Sequence, residues 1–163
     1  MIVPSWVLPV LLPFVGAIPS SRITKNNIKT WYDLLVRPSW RPPNWAFGPV
    51  WSVLYTAMGV ASHLVLQSPA ADTTAALLYG AQLVLNWAWT PIFFGLHNVR
   101  LAAYEICLLW LAVAGCGLKF YSIDTTAGLL FLPYLAWVSL ATALTFNIWR
   151  NNGDSPSPGG KQV

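Results

Sequence analysis

The sequence predicts an all-α membrane protein, a five-transmembrane-helix bundle with a short amphipathic helix in the first loop. Three observations carry that expectation. Only 9% of the 163 residues are charged and 56% are hydrophobic, whereas soluble domains carry about 25% charged residues. Too few charges are present to cover a soluble surface, so the apolar surface must meet lipid. Five apolar runs each approach the roughly 20 residues that a helix needs to cross a bilayer. Finally, eight of the nine Lys and Arg residues fall on loops that share one side of such a bundle.

The runs are Ser5 to Ile23, Ala46 to Leu66, Ala75 to Phe94, Leu101 to Phe120 and Thr125 to Trp149. The first is interrupted by Pro9, Pro13 and Pro19, and the last contains Pro133. No Lys or Arg precedes the first run, so the charged region of a cleaved leader is missing and the run is expected to be retained. The first loop, Thr24 to Trp45, is the long one. Within it Ile28, Trp31, Tyr32 and Leu35 recur with the spacing of one helical face. That face serves a surface helix on the bilayer, a lid over a cavity, or both. Residues 1–150 thus form one membrane domain. Residues 151–163, rich in Asn, Gly, Ser and Pro, read as a disordered tail.

Orientation follows from the basic residues. Arg22, Lys25, Lys29, Arg37, Arg41, Arg100, Arg150 and Lys161 share one side, and Lys119 alone faces the other. The positive-inside rule makes the first side, with the C-terminus, cytosolic.

Several chemistries are excluded. Cys107 and Cys116 lie about 13 Å apart along one helix, too far for an intrahelical disulfide. His63 and His97 have no ligand-like neighbours, so no metal site is expected, and no cofactor. The basic residues make no patch for nucleic acid. No paired carboxylates, Ser/His/Asp set or reactive cysteine setting is present.

Three segments carry residues unusual for lipid-facing helices. In the first, Arg37 to Trp51, Trp40 and Trp45 fall at interface depth, while Trp51 lies deeper. In the second, Gln82, Asn86, Trp89 and Phe93 share one helix face. Bare amides facing lipid are costly, so this face points at another helix or into a cavity. Its amides are either interhelical hydrogen-bond glue or a means of orienting a ligand. In the third, Tyr134, Trp137, Ala141 and Leu144 share a face that gives close packing or a concavity. Glu105 is the one acid well inside a run, close enough to Arg100 to pair with it. The residues alone favour a binder of flat, apolar ligands in a tryptophan-lined pocket. A scaffold with no small-molecule site is the competing class.

These segments read PSWxPPxWxFGPVWxxLYxxMG (Pro38 to Gly59), QLxLNWAWxPIFFG (Gln82 to Gly95) and PYLAW (Pro133 to Trp137). The pattern resembles the translocator protein family, known also as the peripheral benzodiazepine receptor and, in bacteria, the tryptophan-rich sensory protein. It resembles animal members most. The resemblance implies a membrane receptor or carrier of cholesterol, of porphyrins and other haem precursors, and of synthetic isoquinoline or benzodiazepine ligands. It also implies the mitochondrial outer membrane, multi-pass, with links to sterol transport and tetrapyrrole handling, and a homodimer. The implied ligand-binding residues are Phe47, Gly48, Val50, Trp51, Asn86, Trp89, Leu108, Trp137, Ala141 and Leu144. Trp51 and Trp137 match tryptophans tied to porphyrin breakdown in bacterial members, which implies the alternative of an enzyme-like oxidative or photochemical activity. Phe146 and Arg150 are the implied sterol-binding pair, with Phe146 and Asn147 standing where mammalian members have two tyrosines. A reverse-sense match runs through Arg100, Tyr104 and Leu108.

In sealed membranes an impermeant amine reagent on the cytosolic side is expected to label Lys161. It should spare Lys119 until the membrane is opened, and the reverse pattern would overturn the orientation.

Overall fold

The computed structural model describes residues 4–156, and among these every regular element is helical. Helices α1 (Val7–Leu11) and α2 (Ala17–Ile28) flank a 3-10 stretch, Leu12–Gly16, in one continuous rod. Helix α3 runs Phe47–Gln67. Helix α4, Thr73–Thr90, continues into a π turn, Pro91–Gly95. Then come α5 (Val99–Ile123), α6 (Thr125–Leu129) and α7 (Leu132–Asn152). Four stretches are long and apolar enough to cross a membrane: Val7–Ile28, Asn44–Gln67, Val99–Ile123 and Thr125–Asn152. The chain is therefore a multi-pass, all-helical membrane protein. Helix α4, expected as the third of five spans, is not among the four. Its threonines and the amides of Gln82 and Asn86 lower its apolar character.

Side-chain caps set the corners. Asp72 accepts from the Ala75 amide at 2.9 Å and starts α4. Its other oxygen takes the Lys119 ammonium at 2.6 Å, which ties the start of α4 to the end of α5. Lys119 first, and the amide with it, hold the Asp72 carboxyl below the usual carboxylate range. Asn98 caps α5 through the Leu101 amide. Asp124 ends α5 and caps α6 through Ala127.

Close approaches need small residues at two points in the rod. A Cβ on Gly59 of α3 would run into the Val10 backbone of α1, and one on Gly16 would run into the Trp87 ring of α4. The Pro13 carbonyl, within the 3-10 stretch, accepts from Trp87 Nε1 at 3.2 Å, which ties the rod to α4.

The expected helix in the first loop does not form. Helix α2 ends at Ile28, Trp31 leaves helical backbone, and only a 3-10 turn, Tyr32–Leu34, follows. The expected face is nonetheless inside: Trp31, Tyr32 and Leu35 are buried. Tertiary contacts replace the helix. Trp31 stacks on His97 with ring centroids 4.3 Å apart and meets Phe93 edge-on at 5.3 Å. Burial raises the Tyr32 phenol above its ordinary pKa, against the opposing pull of Arg41 and Arg37.

The expected fifth run is two helices, because Pro133 lies in the first turn of α7, a position that suits a residue with no N–H. The tail departs from expectation at its start. Helix α7 reaches Asn152, Asn152 exchanges two hydrogen bonds with Val36, and the Pro156 carbonyl accepts from Trp31 Nε1 at 2.8 Å. Asp154 takes Trp149 Nε1 and Arg100, and these, Trp149 foremost, hold its carboxyl below the ordinary range. Residues 157–163 lie outside the described residues.

Gly80 on α4 has open space where a Cβ would stand. Gly80→Ala is expected to stabilise the protein by about 0.5–1 kcal/mol through helix propensity. Gly59→Ala is expected to destabilise it by about 1–3 kcal/mol through overpacking. Thermal unfolding in detergent checks this, and shifts of the same sign would contradict the α1–α3 contact.

Candidate functional site

Three helices bring the expected faces together. The backbones of α3 and α7 stay apart over most of their length, and aromatic side chains bridge them. Phe47 meets Trp137 edge-on at 5.5 Å, and Trp51 meets Tyr134 at 6.0 Å and Tyr55 at 5.2 Å. Beside them the two helices form an open groove of about 510 Å³, lined by Pro49, Val50, Val53, Leu54, Pro133, Ala136, Trp137 and Leu140, of which Pro49, Val53, Pro133 and Ala136 are exposed.

Helix α4 supplies the polar centre. The Tyr55 hydroxyl donates to Asn86 Oδ1 at 3.0 Å, and Asn86 Nδ2 donates to the Tyr134 hydroxyl at 3.0 Å. One buried amide thus joins α3, α4 and α7. Both tyrosines lay inside quoted motifs, and a span tyrosine with no water available is the signal that could have marked them as amide partners. One turn further on, Trp89 stacks on Phe93 at 4.8 Å. The indole nitrogens of Trp89 and Trp137 and both amide atoms of Gln82 are buried with no hydrogen-bond partner among the described residues. The π turn that follows Trp89 closes through Leu96 N–H on the Pro91 carbonyl. It lets Phe93 and Phe94 both turn inward against Trp31.

The sequence-predicted residues fall into three groups. Phe47, Val50, Trp51, Trp137 and Ala141 are half-buried around the α3–α7 seam. Asn86 and Leu144 are buried, with Leu144 in the cluster that holds Trp31 and Phe93, and half-buried Trp89 packs against that cluster. Gly48 and Leu108 are not brought in: Gly48 is exposed and Leu108 is 57% exposed on the outer surface of α5. Phe146 and Arg150 also face outward. There Trp149 touches Phe146 at 5.8 Å and Tyr104 at 5.6 Å, so the two candidate sterol segments form one surface. Glu105 does not pair with Arg100, which is engaged by Asp154 at 3.2 Å.

The chain is similar in sequence to known proteins. The TspO/MBR family profile matches residues 9–150. The human translocator protein is 40% identical over 156 residues, covering 91% of this chain and 92% of its own. Protein CrtK of Rhodobacter capsulatus is 42% identical over 130 residues, covering 77% and 81%. The tryptophan-rich sensory protein of Cereibacter sphaeroides is 39% identical over 153 residues, covering 93% and 95%.

Asn86→Leu would leave two buried hydroxyls without their partner. It is expected to destabilise the ligand-free protein by about 1–3 kcal/mol, with Tyr55→Phe costing less because only one bond is lost. Melting of the ligand-free variants checks this. An unchanged midpoint for Asn86→Leu would show that the amide is not a structural tie.

Proposed function

The chain belongs to the TspO/MBR family, and from that premise we propose that it is a receptor- or carrier-like membrane protein for planar apolar ligands. Porphyrins, sterols and isoquinoline- or benzodiazepine-type ligands are the classes it would take, in the space walled by Phe47, Val50, Trp51, Trp89, Trp137, Ala141 and Leu144. The observation that carries this reading is that Trp51, Trp89 and Trp137 pack against one cluster, and that the buried indole N–H groups of Trp89 and Trp137 have no acceptor among the described residues. Flat rings stack on such walls, and a ligand carbonyl or carboxylate meets the N–H groups. Asn86, engaged by two tyrosines, positions the walls in this reading. The exterior strip of Tyr104, Trp149 and Phe146, with Arg150 nearby, is the sterol surface.

The reading includes a fifth crossing by α4. Its 18 residues and the five of the π turn rise about 35 Å at 1.5 Å per residue, which spans a hydrocarbon core. Its polar face is turned inward, with Gln82 and Asn86 buried. Five crossings place Lys119 alone on the far side. The mitochondrial outer membrane with a cytosolic C-terminus is the setting proposed.

Protoporphyrin IX titrated into the protein in lipid nanodiscs should quench tryptophan fluorescence saturably. Trp51→Leu and Trp137→Leu should each weaken binding about 2- to 12-fold, the worth of one aromatic contact, while Leu111→Ala on the outer surface should not. Absence of saturable quenching, or equal effects of all three variants, would overturn the pocket. Chromatography of the incubated porphyrin checks for products. Their loss in the Trp51 and Trp137 variants would move the reading to catalysed breakdown.

A further inference from the structure

Glu105 of α5 is only 7% exposed, and among the described residues no group hydrogen-bonds either carboxyl oxygen. Its position is fixed by the packing of α5 on α4. Glu105 stands as many residues before Lys119 as Asn86 stands after Asp72, and Lys119 and Asp72 are paired across the two antiparallel helices. Glu105 and Asn86 therefore stand at about the same depth along the two helices. One turn before Glu105, Ala102 belongs to the cluster of Trp31 and Phe93. Just beyond it, Ile106 and Leu109 belong to the cluster of Tyr55 and Tyr134, against which Trp51 and Trp137 pack. Trp89 packs on both clusters. The neighbours of Glu105 on α5 thus belong to two groups of aromatic rings, one on either side of it along the helix.

Arg100 is held by Asp154 and Lys119 by Asp72, and among the described residues no Lys, Arg or His forms an ion pair with Glu105. A carboxyl at this depth is costly unless paired, and such groups mark functional sites. Ligand groups that accept hydrogen bonds have other donors here, the indole N–H groups of Trp89 and Trp137. What Glu105 and the surrounding rings lack is a positive charge, which the carboxylate would pair with and the π faces would attract.

We propose that Glu105 anchors the nitrogen of a lipophilic amine, bound as its ammonium ion with N–H on a Glu105 oxygen and its alkyl groups against Trp89 and Tyr134. This rests on the reading that the space among α3, α4 and α7 admits a planar apolar ligand. It adds a charged recognition point to an otherwise neutral pocket.

Two isosteric probes test it: para-(dimethylaminomethyl)biphenyl and para-isobutylbiphenyl, which differ by nitrogen for carbon. Binding to the full chain in nanodiscs is measured by equilibrium dialysis against empty nanodiscs, which removes partition into lipid. The amine is expected to bind roughly tenfold or more tightly than the hydrocarbon, as a charge-assisted hydrogen bond allows. Glu105→Gln should abolish that preference while leaving hydrocarbon binding unchanged, and Glu105→Asp should keep part of it. Hydrocarbon binding with no amine preference overturns the anchor and leaves the pocket standing, as does a preference that survives Glu105→Gln. Binding of neither probe overturns both readings. If Glu105→Gln loses hydrocarbon binding and so has not folded, the wild-type comparison and Glu105→Asp decide.

Discussion

The Asn86 amide is the tie on which the interior depends. Lipid gives helices no hydrophobic reason to associate, so close packing and interhelical hydrogen bonds must hold them. Asn86 accepts from Tyr55 of α3 and donates to Tyr134 of α7, and the backbones of those two helices otherwise remain apart. Trp51 lies against both tyrosines. One side chain therefore joins the aromatic residues of both helices.

A second set of contacts closes the end of the bundle where α5 begins and α7 ends. Trp31 is packed among Phe93, Phe94 and His97 and donates to the Pro156 carbonyl. His97 adopts a left-handed backbone, φ 53°, uncommon for a residue with a side chain, and its Nε2 lies 2.9 Å from Asn27 Oδ1. Asn152 binds both backbone groups of Val36, and the Asp154 carbonyl accepts from the Val99 amide. The first loop, the start of α5 and the end of α7 thus cover the cluster that contains Leu144. A ligand reaching Trp89 from this end must displace that cover, whereas the α3–α7 groove is open.

Polar groups divide into those the fold satisfies and those it does not. Asn86, Asp72, Asp124 and Asn98 all have partners and serve as ties or caps. Gln82, Glu105, Trp89 and Trp137 retain buried atoms without one. In a medium without water such atoms are expensive, and the aromatic ones sit where the sequence motifs are densest.

The sequence by itself determined that the chain is helical and lies in lipid, because too few charges are present to cover it any other way. It also determined which faces turn inward: Gln82, Asn86 and Phe93 are buried as their spacing requires, and so are Trp31, Tyr32 and Leu35. Periodicity reports which side chains leave lipid and carries no information on their partners. Only the tertiary structure decided that Asn86 is held by two tyrosines, that Arg100 turns from Glu105 to Asp154, and that Leu108 faces out. Each outcome depends on groups distant in sequence meeting across helices. Nor could spacing foresee that the first-loop face is built from a 3-10 turn. There the stacking of Trp31 on His97 outweighs local helix propensity, which is a weak term once an aromatic ring is fully enclosed.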